Sequence, residues 1–443
     1  MKVAVIGAGI AGVTTAYELA CDGHQVVVFE RRDSVAAESS FAHSGLMSAS
    51  ALVPWVVPRG FGSRQPAPWR PALPNRATAW FAGRTQARQA QAHEANCVHL
   101  RRLAALSRER QLALVRSLNL DHERADGHLM LLRTPKDMAH AQPALDVLAR
   151  LGTRFEQLDR EHCLRIEPGL GDATPLQAGI FFPGDEVGNC REFAHLLRLA
   201  AQRLGVRFRF HTQVQAINPG APLQLVHRSS PPQTAATTFQ RAATSSTNNG
   251  HVADTQPVAD ETITESVDAV VVCAALDAPA LLAPLRIQLA QQVAYGHSIT
   301  APLRTSEMFP NQGPRAALTD ARHGVSISRL GQRVRIAGSF ETGGSLAEPQ
   351  DGAFKVLYEV LHDWFPGAAR MTHVQRWKGA LAFTRDGSPV LGASGVAGVW
   401  LNLGHGANGW ALACGSARVV ADAVSGRPAS IDTDGLGISR LPG

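Results

Sequence analysis

The sequence predicts an α/β chain, with a Rossmann-like nucleotide-binding domain joined to a second domain built on a mostly antiparallel sheet. Three observations carry that reading. Residues 1–31 string together a strand, a glycine-rich turn, a helix and a second strand. A further buried-strand run, Val267 to Ala274, lies far downstream, where it can complete the first sheet. Runs at Leu289 to Ala301, Val325 to Arg329 and Arg333 to Phe340 have the character of a separate antiparallel sheet.

The opening unit has a physical reason at each position. Lys2 to Ile6 is a short apolar run of a strand's length, and Val13 to Cys21 reads as a helix. Between them stands Gly7-Ala8-Gly9-Ile10-Ala11-Gly12, a G-x-G-x-x-G. Gly7 permits the tight turn, Gly9 lets the backbone approach a pyrophosphate, and Gly12 lets helix and strand pack closely. The helix N-terminus then faces the phosphates with its partial positive charge. Gly23-His24 turns the chain into Gln25 to Phe29, which ends at Glu30 with Arg31 beside it. A carboxylate about 20 residues after the glycines can accept both ribose hydroxyls, and an acid there disfavours a 2′-phosphate.

The bulk numbers bound the class. A chain of 443 residues exceeds one comfortable core, so two domains are expected. Lys and Arg number 43 against 37 Asp and Glu, a net charge of +6. With no dense basic run, this excludes a nucleic-acid protein and is compatible with peripheral contact on an anionic inner-membrane surface. The six cysteines are scattered without a C-x-x-C, which suggests a reducing, cytoplasmic compartment and no structural metal. No leader precedes the first strand, and no apolar window is long enough to span a bilayer.

Further along, Asp33 to Ser50 is a small, polar segment suited to close approach to a cofactor. Leu52 to Arg88 mixes prolines with Trp and Arg and reads as a wrapping segment. Gln86 to Leu118 is an amphipathic helix, Gly127 to Thr134 a strand, and Pro135 to Leu151 a helix opening on its proline. His162 and Cys163 read as structural. Ala178 to Phe182 is a strand followed by a turn at Pro183 to Gly188, then a helix from Arg191 to Leu204. Val206 to Phe210 and Gln213 to Ile217 are strands. Pro219 to Ser266, rich in Ser, Thr, Asn and Pro, reads as a mobile insertion without a core. Asp351 to Phe365 is a helix, and strands return at Val374 to Leu381, Pro389-Val390 and Val399 to Asn402. Gly404-His405-Gly406-Ala407-Asn408-Gly409-Trp410 then opens a terminal helix, offering free backbone N–H groups.

Six segments together resemble one family: the opening fingerprint, Glu38 to Gly45, Phe181 to Asn189, Arg333 to Glu341, Trp377 to Gly392 and Leu401 to Arg427. In order and spacing they are similar to bacterial D-amino-acid dehydrogenase (small subunit), within the FAD-dependent D-amino-acid and glycine oxidases. The resemblance implies FAD, with Gly7, Ala8, Gly9, Ile10, Ala11 and Gly12 at its pyrophosphate and Glu30 and Arg31 at its adenosine ribose. It places Ser39, Ser40, Gly45 and Leu46 near the phosphates and flavin, Val214 at the adenine, and Cys273 and Ala274 beneath the cofactor. It sets Gly404, His405, Gly406, Asn408, Gly409 and Trp410 beside the isoalloxazine. The implied reaction moves hydride from the substrate Cα–H to flavin N5, the imine hydrolyses, and electrons pass to a respiratory acceptor or oxygen.

The departures concentrate on the substrate pocket. Leu381 stands where the family has the Arg that binds the substrate carboxylate, and Ala382 replaces the next Pro. Arg385 replaces the Pro before Asp386. Tyr295 and His297 replace the family's Lys and Tyr, His43 an Asn, and Leu46 a Gln. The substrate is therefore expected to be an amino acid held by Arg385 or Arg329, or an amine or imino acid lacking that carboxylate contact. Arg385, Arg329, His297, Tyr295 and His43 are the catalytic candidates, and a flavin-binding protein without turnover is the remaining alternative. The expected domains are 1–50, 183–285 and 375–443 around FAD, and 51–182 and 286–374 around the substrate.

Overall fold

The computed structural model describes residues 1–48, 79–229, 262–304, 312–342, 345–347, 351–384 and 386–441. The expected wrapping segment from Leu52, up to residue 78, lies outside the described residues, as does Arg385.

In chain order, β1 (Lys2–Ile6), α1 (Ile10–Cys21) and β2 (Gln25–Phe29) form the opening unit, followed by β3 (Leu46–Met47) and the long α2 (Ala79–Leu118). Next come β4 (Ala125–Leu132), α3 (Pro135–Arg150), β5 (Glu156–Leu158), α4 (Arg160–Ile166), β6 (Ala178–Val187) and α5 (Cys190–Arg203). The middle holds β7 (Arg207–Arg209), β8 (Thr212–Asn218), β9 (Leu223–Ser229), β10 (Thr262–Val267), β11 (Ala269–Val272) and α6 (Ala278–Leu282). The last part holds β12 (Gln291–Pro302), β13 (Ala317–Asp320), β14 (Val325–Leu330), β15 (Arg333–Thr342), α7 (Asp351–Trp364), β16 (Gln375–Thr384), β17 (Val390–Ala393), β18 (Val399–Leu403) and α8 (Gly409–Val424).

These strands make three sheets. A six-stranded sheet runs β17-β18-β11-β1-β2-β7, parallel except for the β17–β18 pair. Its core strands are near-continuous Val, Ile and Ala, as a sheet covered on both faces requires. One face is covered by α1, α2, α5 and α8, which share a core with Val3, Val5, Val26 and Val28. The other meets a small antiparallel sheet, β8-β9-β10, through Ile217, Leu223 and Leu225. A nine-stranded, mostly antiparallel sheet, β16-β12-β15-β14-β13-β4-β6-β3 with β5 beside β6, makes the second body. α7 packs on one face of it, over Ile299, Ile327, Val334 and Ile336.

Helix ends follow capping chemistry. Thr134 and Asp137 form a reciprocal capping box at α3, with Pro135 at its first turn. Asn189 caps α5, and Asp159 caps α4 while also binding the His162 ring at 2.7 Å.

Several expectations are corrected. The turn at Pro183 to Gly188 is absent, because β6 continues through Val187 by pairing with β3 and β4. The insertion is narrower than 219–266: β9 and β10 pair along their whole length and bury Leu223, Leu225 and Val267. Only 230–261 lies outside the described residues. The domain limits at 183 and 375 fall inside or at the edge of strands of the large sheet, β6 and β16. α2 belongs with the nucleotide-binding body, since Leu100, Leu103 and Leu114 pack in the α1–α8 core. Its backbone comes so close to α8 that a Cβ on Gly415 would lie 2.7 Å from the Leu103 carbonyl.

The β9 correction is directly testable. Leu225 is fully buried whereas Ile263 on the neighbouring strand is 39% exposed. Leu225→Ala is expected to lower the unfolding free energy by about 2–5 kcal/mol in urea titration, and Ile263→Ala by less than about 0.5 kcal/mol. Equal, small effects would return β9 to the status of a dispensable insertion.

Candidate functional site

A groove lies along the C-terminal ends of β1, β2 and β11, where ligands bind in open α/β sheets. Its floor is Gly7, Gly9, Ile10 and Ala11, with Glu30, Arg31, Ser39 and Ser40 along one side. Val214, Cys273 and Ala274 line it further, and Gly404, His405, Gly406 and Gly409 close the other end. Residues widely separated in sequence thus meet in one trough because the parallel strands all end on the same side.

The glycines have distinct roles. Gly7 adopts φ +99°, a backbone state that side chains rarely take. A Cβ on Gly12 would lie 1.9 Å from the Gly7 carbonyl oxygen, so α1 sits on the turn with no space for a side chain. A Cβ on Gly9 would meet only the Ser40 hydroxyl, at 3.6 Å, and would otherwise point into the open groove. Ser40 Oγ accepts from the Ile10 N–H at 3.1 Å. Glu30 ends β2 nearly buried, accepting from the backbone N–H groups of Ala8 at 2.7 Å and Arg32 at 2.8 Å. Burial pushes its carboxyl above the usual range, while those two donors favour the carboxylate. Arg31 is tied to Glu38 and Asp277 across the groove's rim, at 2.7 and 2.5 Å. Burial holds the His405 imidazole down to about 4, and its Nε2 pairs with the Ser416 hydroxyl at 3.0 Å. A shaped trough with an open approach at Gly9, a helix N-terminus and a carboxylate at the second strand's end fits the dinucleotide part of FAD.

A second cavity, of about 360 Å3, adjoins the groove, and Ser39 and Leu381 border both. It lies between the groove's edge (Ala42, His43, Leu46, Ala407, Asn408) and the large sheet's face opposite α7. Phe340, Trp377, Leu381 and Met130 make it largely apolar. No Arg or Lys is among its described lining residues.

The remaining candidates fall on both sides of this wall. His43 borders the cavity, but both ring nitrogens are engaged: Nδ1 accepts from the Gly45 N–H at 3.1 Å and Nε2 donates to the Ala407 carbonyl at 3.0 Å. That arrangement fixes a neutral ring, consistent with burial lowering its basicity, and leaves it no lone pair for proton abstraction. Strand parity removes three others. Ile299 packs toward α7, and Tyr295 and His297 share its face. The Lys378 ammonium lies over the Tyr295 ring at 5.1 Å. His297 borders the cavity, but its ring sits edge-on to Phe354 of α7 at 5.2 Å, with Nδ1 donating to the Ser339 carbonyl at 3.0 Å. Arg329 shares the face of Val325 and Ile327 rather than that of Ser326, which lines the cavity, and its Nε donates to the Gly331 carbonyl at 3.0 Å. It cannot replace the Arg missing at Leu381. Trp410 and Gly45 line neither space: the buried Trp410 indole donates to the Gly45 carbonyl at 3.2 Å and packs on Phe193. Leu46 borders the second cavity rather than the groove.

The polar wall of that cavity carried no sequence signal. His128, Thr319, Ser326 and Ser48 line it, from β4, β13, β14 and the chain after β3. A lone His and isolated hydroxyls on unpaired segments gave nothing to connect before their strands were seen side by side.

The glycine geometry makes a split prediction. Gly9→Val is expected to fold and to purify colourless, with less than about a tenth of the wild-type FAD content, because the side chain fills the groove and not the core. Gly12→Val is expected in the insoluble fraction. Absorbance at 450 nm of the soluble protein reads both, and a yellow Gly9→Val protein would contradict the placement.

Comparison with known proteins agrees with the geometry. The family model described as FAD dependent oxidoreductase (DAO) matches residues 2–423. A D-amino acid dehydrogenase of Rhizorhabdus wittichii is 33% identical, over 99% of this chain and 100% of that protein. One from Cereibacter sphaeroides is 34% identical, over 99% of this chain and 95% of that protein. Among solved structures, glycine oxidase from Geobacillus kaustophilus shares the fold with a TM-score of 0.74 at 20% identity, covering 100% of this chain and 99% of that one. L-proline dehydrogenase from P. horikoshii gives a TM-score of 0.66 at 15% identity, covering 99% of this chain and 97% of that one. The trough at the ends of the parallel strands and the full-length match reach one conclusion: this chain belongs to the DAO family and is an FAD-dependent oxidoreductase.

Proposed function

We propose that the chain oxidises the C–N bond of D-amino acids with long side chains, releasing the imine for hydrolysis to a 2-oxo acid and ammonia. The observation that carries this reading is the 360 Å3 cavity sharing Ser39 and Leu381 with the dinucleotide groove. Relatives at 33–34% identity are named D-amino acid dehydrogenases, which supports the same substrate class.

Bound FAD supplies a two-electron acceptor for the hydride on the carbon bearing the amine. The protein's part is alignment and desolvation. An apolar wall of Phe340, Trp377, Leu381 and Met130 disfavours an ammonium and so favours the neutral amine from which hydride can leave. Ser39 donates to the Ala380 carbonyl at 2.7 Å, fixing the strand beside the point where the two spaces meet. The His43 links to Gly45 and Ala407 hold the cavity's groove-side wall in one arrangement. Holding the reacting carbon in place is worth several kcal/mol without any acid or base side chain.

A second reading, an amine substrate without an α-carboxylate, is favoured by Leu381 and by the lack of a cation among the described lining residues. Anaerobic mixing of the yellow protein with D-leucine, D-methionine, D-phenylalanine, their L enantiomers and C4–C6 alkylamines separates the two. Bleaching at 450 nm by the D compounds and not the L compounds is expected. Bleaching by alkylamines alone would select the second reading, and bleaching by dithionite alone would overturn both. The bleached flavin is further expected to reoxidise faster with a soluble ubiquinone analogue than with air.

A further inference from the structure

We propose that Arg31, anchored by Glu38 and bridged to Asp277, is a clasp across the dinucleotide groove, and that the Asp277 carboxylate is the fixed end that slows the departure of FAD. The inference rests on the groove as the FAD site and is independent of which amine is oxidised.

The three side chains all line the groove, and they reach it from opposite sides. Arg31 follows β2, whereas Asp277 closes the short turn Ala275–Asp277 after β11. In the sheet, β1 lies between those two strands. Arg31 and Asp277 thus start two strand spacings apart, ~9–10 Å, and their bond is laid across the end of β1. The groove's floor at that point is the turn that begins at Gly7.

Arg31 is first held from its own side. Glu38 receives a two-point fork from it, Nε at 3.0 Å and Nη2 at 2.7 Å. Arg32 Nε meets the same carboxylate at 2.6 Å. Burial works against the charge on Glu38, yet the two guanidiniums hold its carboxyl below the usual carboxylate range. The segment carrying Glu38 is itself pinned to the glycine turn, where the Ala36 N–H donates to the Ala8 carbonyl at 2.9 Å. A two-point fork fixes the plane of a guanidinium. The remaining Nη1 is thereby aimed across the groove, where it donates to Asp277 Oδ2 at 2.5 Å.

Charge shows that Asp277 needs a reason to be there. Three carboxylates line the groove, Glu30, Glu38 and Asp277, and Arg31 is the one Arg or Lys among its described lining residues. A pyrophosphate adds more negative charge, so repulsion alone disfavours an acid at this rim. Nor does Asp277 cap the following helix, since it makes no side-chain bond at the N-terminus of α6. Among the described residues its side chain bonds to Arg31 alone. The Arg31, Glu38 and Asp277 side chains are 32%, 34% and 39% exposed, so dissolved salt screens the links. They can open without disturbing the sheet behind them, and a pair so exposed slows release without sealing the groove.

Release of FAD from the purified holoenzyme tests the clasp. The yellow protein is diluted, and the fraction of its 450 nm absorbance that passes an ultrafiltration membrane is followed with time. Asp277→Asn separates a clasp from simple charge. It removes a negative charge beside a negatively charged ligand, so electrostatics alone would slow release. The clasp instead requires release about three- to fivefold faster, the range that one exposed ion pair allows. Asp277→Glu keeps the carboxylate and is expected to release FAD within about twofold of wild type. Wild-type release is expected to accelerate with added sodium chloride, and Asp277→Asn to lose most of that acceleration. Unchanged or slower release from Asp277→Asn overturns the proposal, as does Asp277→Glu releasing as fast as Asp277→Asn. Wild-type release that is indifferent to salt also overturns it, and that measurement needs no variant to fold.

Discussion

The contact on which the structure depends is the backbone approach of α1 to β1, where Gly12 leaves no space for a Cβ against the Gly7 carbonyl. This approach aims the N-terminus of α1 along the groove and sets the height of the helix over the sheet. The helix is then locked from behind. Glu18, buried on α1, binds Arg110 of α2 at 2.8 Å and Arg418 of α8 at 2.6 Å. Arg418 also reaches Asp22 at the end of α1 and Asp422 on its own helix. Removing one member of so buried a cluster would strand charge, at a cost of about 3–5 kcal/mol. Three helices from three distant parts of the chain thus hold one short turn in register with the dinucleotide's path.

The large sheet divides the labour by parity. Residues on one face of β12, β14 and β15 pack under α7, while their neighbours on the other face form the cavity wall. One residue of displacement along a strand separates a core position from a substrate-facing one. The cavity that results has an apolar middle, a neutral His43 bridge near the groove and a polar chain ending in Asp185 at the far side. Leu381 brings no charge to the boundary of the two spaces.

Local chemistry was legible in the sequence wherever it was contiguous. The strand, glycines, helix and acid of residues 2–30 lie within one βαβ unit, and the capping residues of α3 and α5 adjoin their helices. The fold of the second body was legible as strand character but not as strand order. Arg329, Tyr295 and His297 were reasonable candidates by motif position, yet which face of a strand meets a cavity is set by the partner body and not by the strand itself. β9 and β10 were concealed by their setting, since residues 230–261 between them dilute the apolar signal of Leu223 and Leu225. His128 was invisible for a third reason: its partners Asp185 and Thr319 lie 57 and 191 residues away, brought together only by the β4–β6 and β4–β13 pairings.

The central claim is that two adjoining spaces divide the work, the groove holding the dinucleotide and the cavity holding the molecule that is oxidised. A crystal structure of the FAD-loaded enzyme soaked anaerobically with D-leucine tests it most directly. The account predicts adenosine at Glu30, the flavin ring at the Ser39–Leu381 boundary, and the ligand's reacting carbon at that boundary with its side chain in the second cavity. A flavin ring occupying the cavity as far as His128, or a ligand bound outside it, would contradict the account.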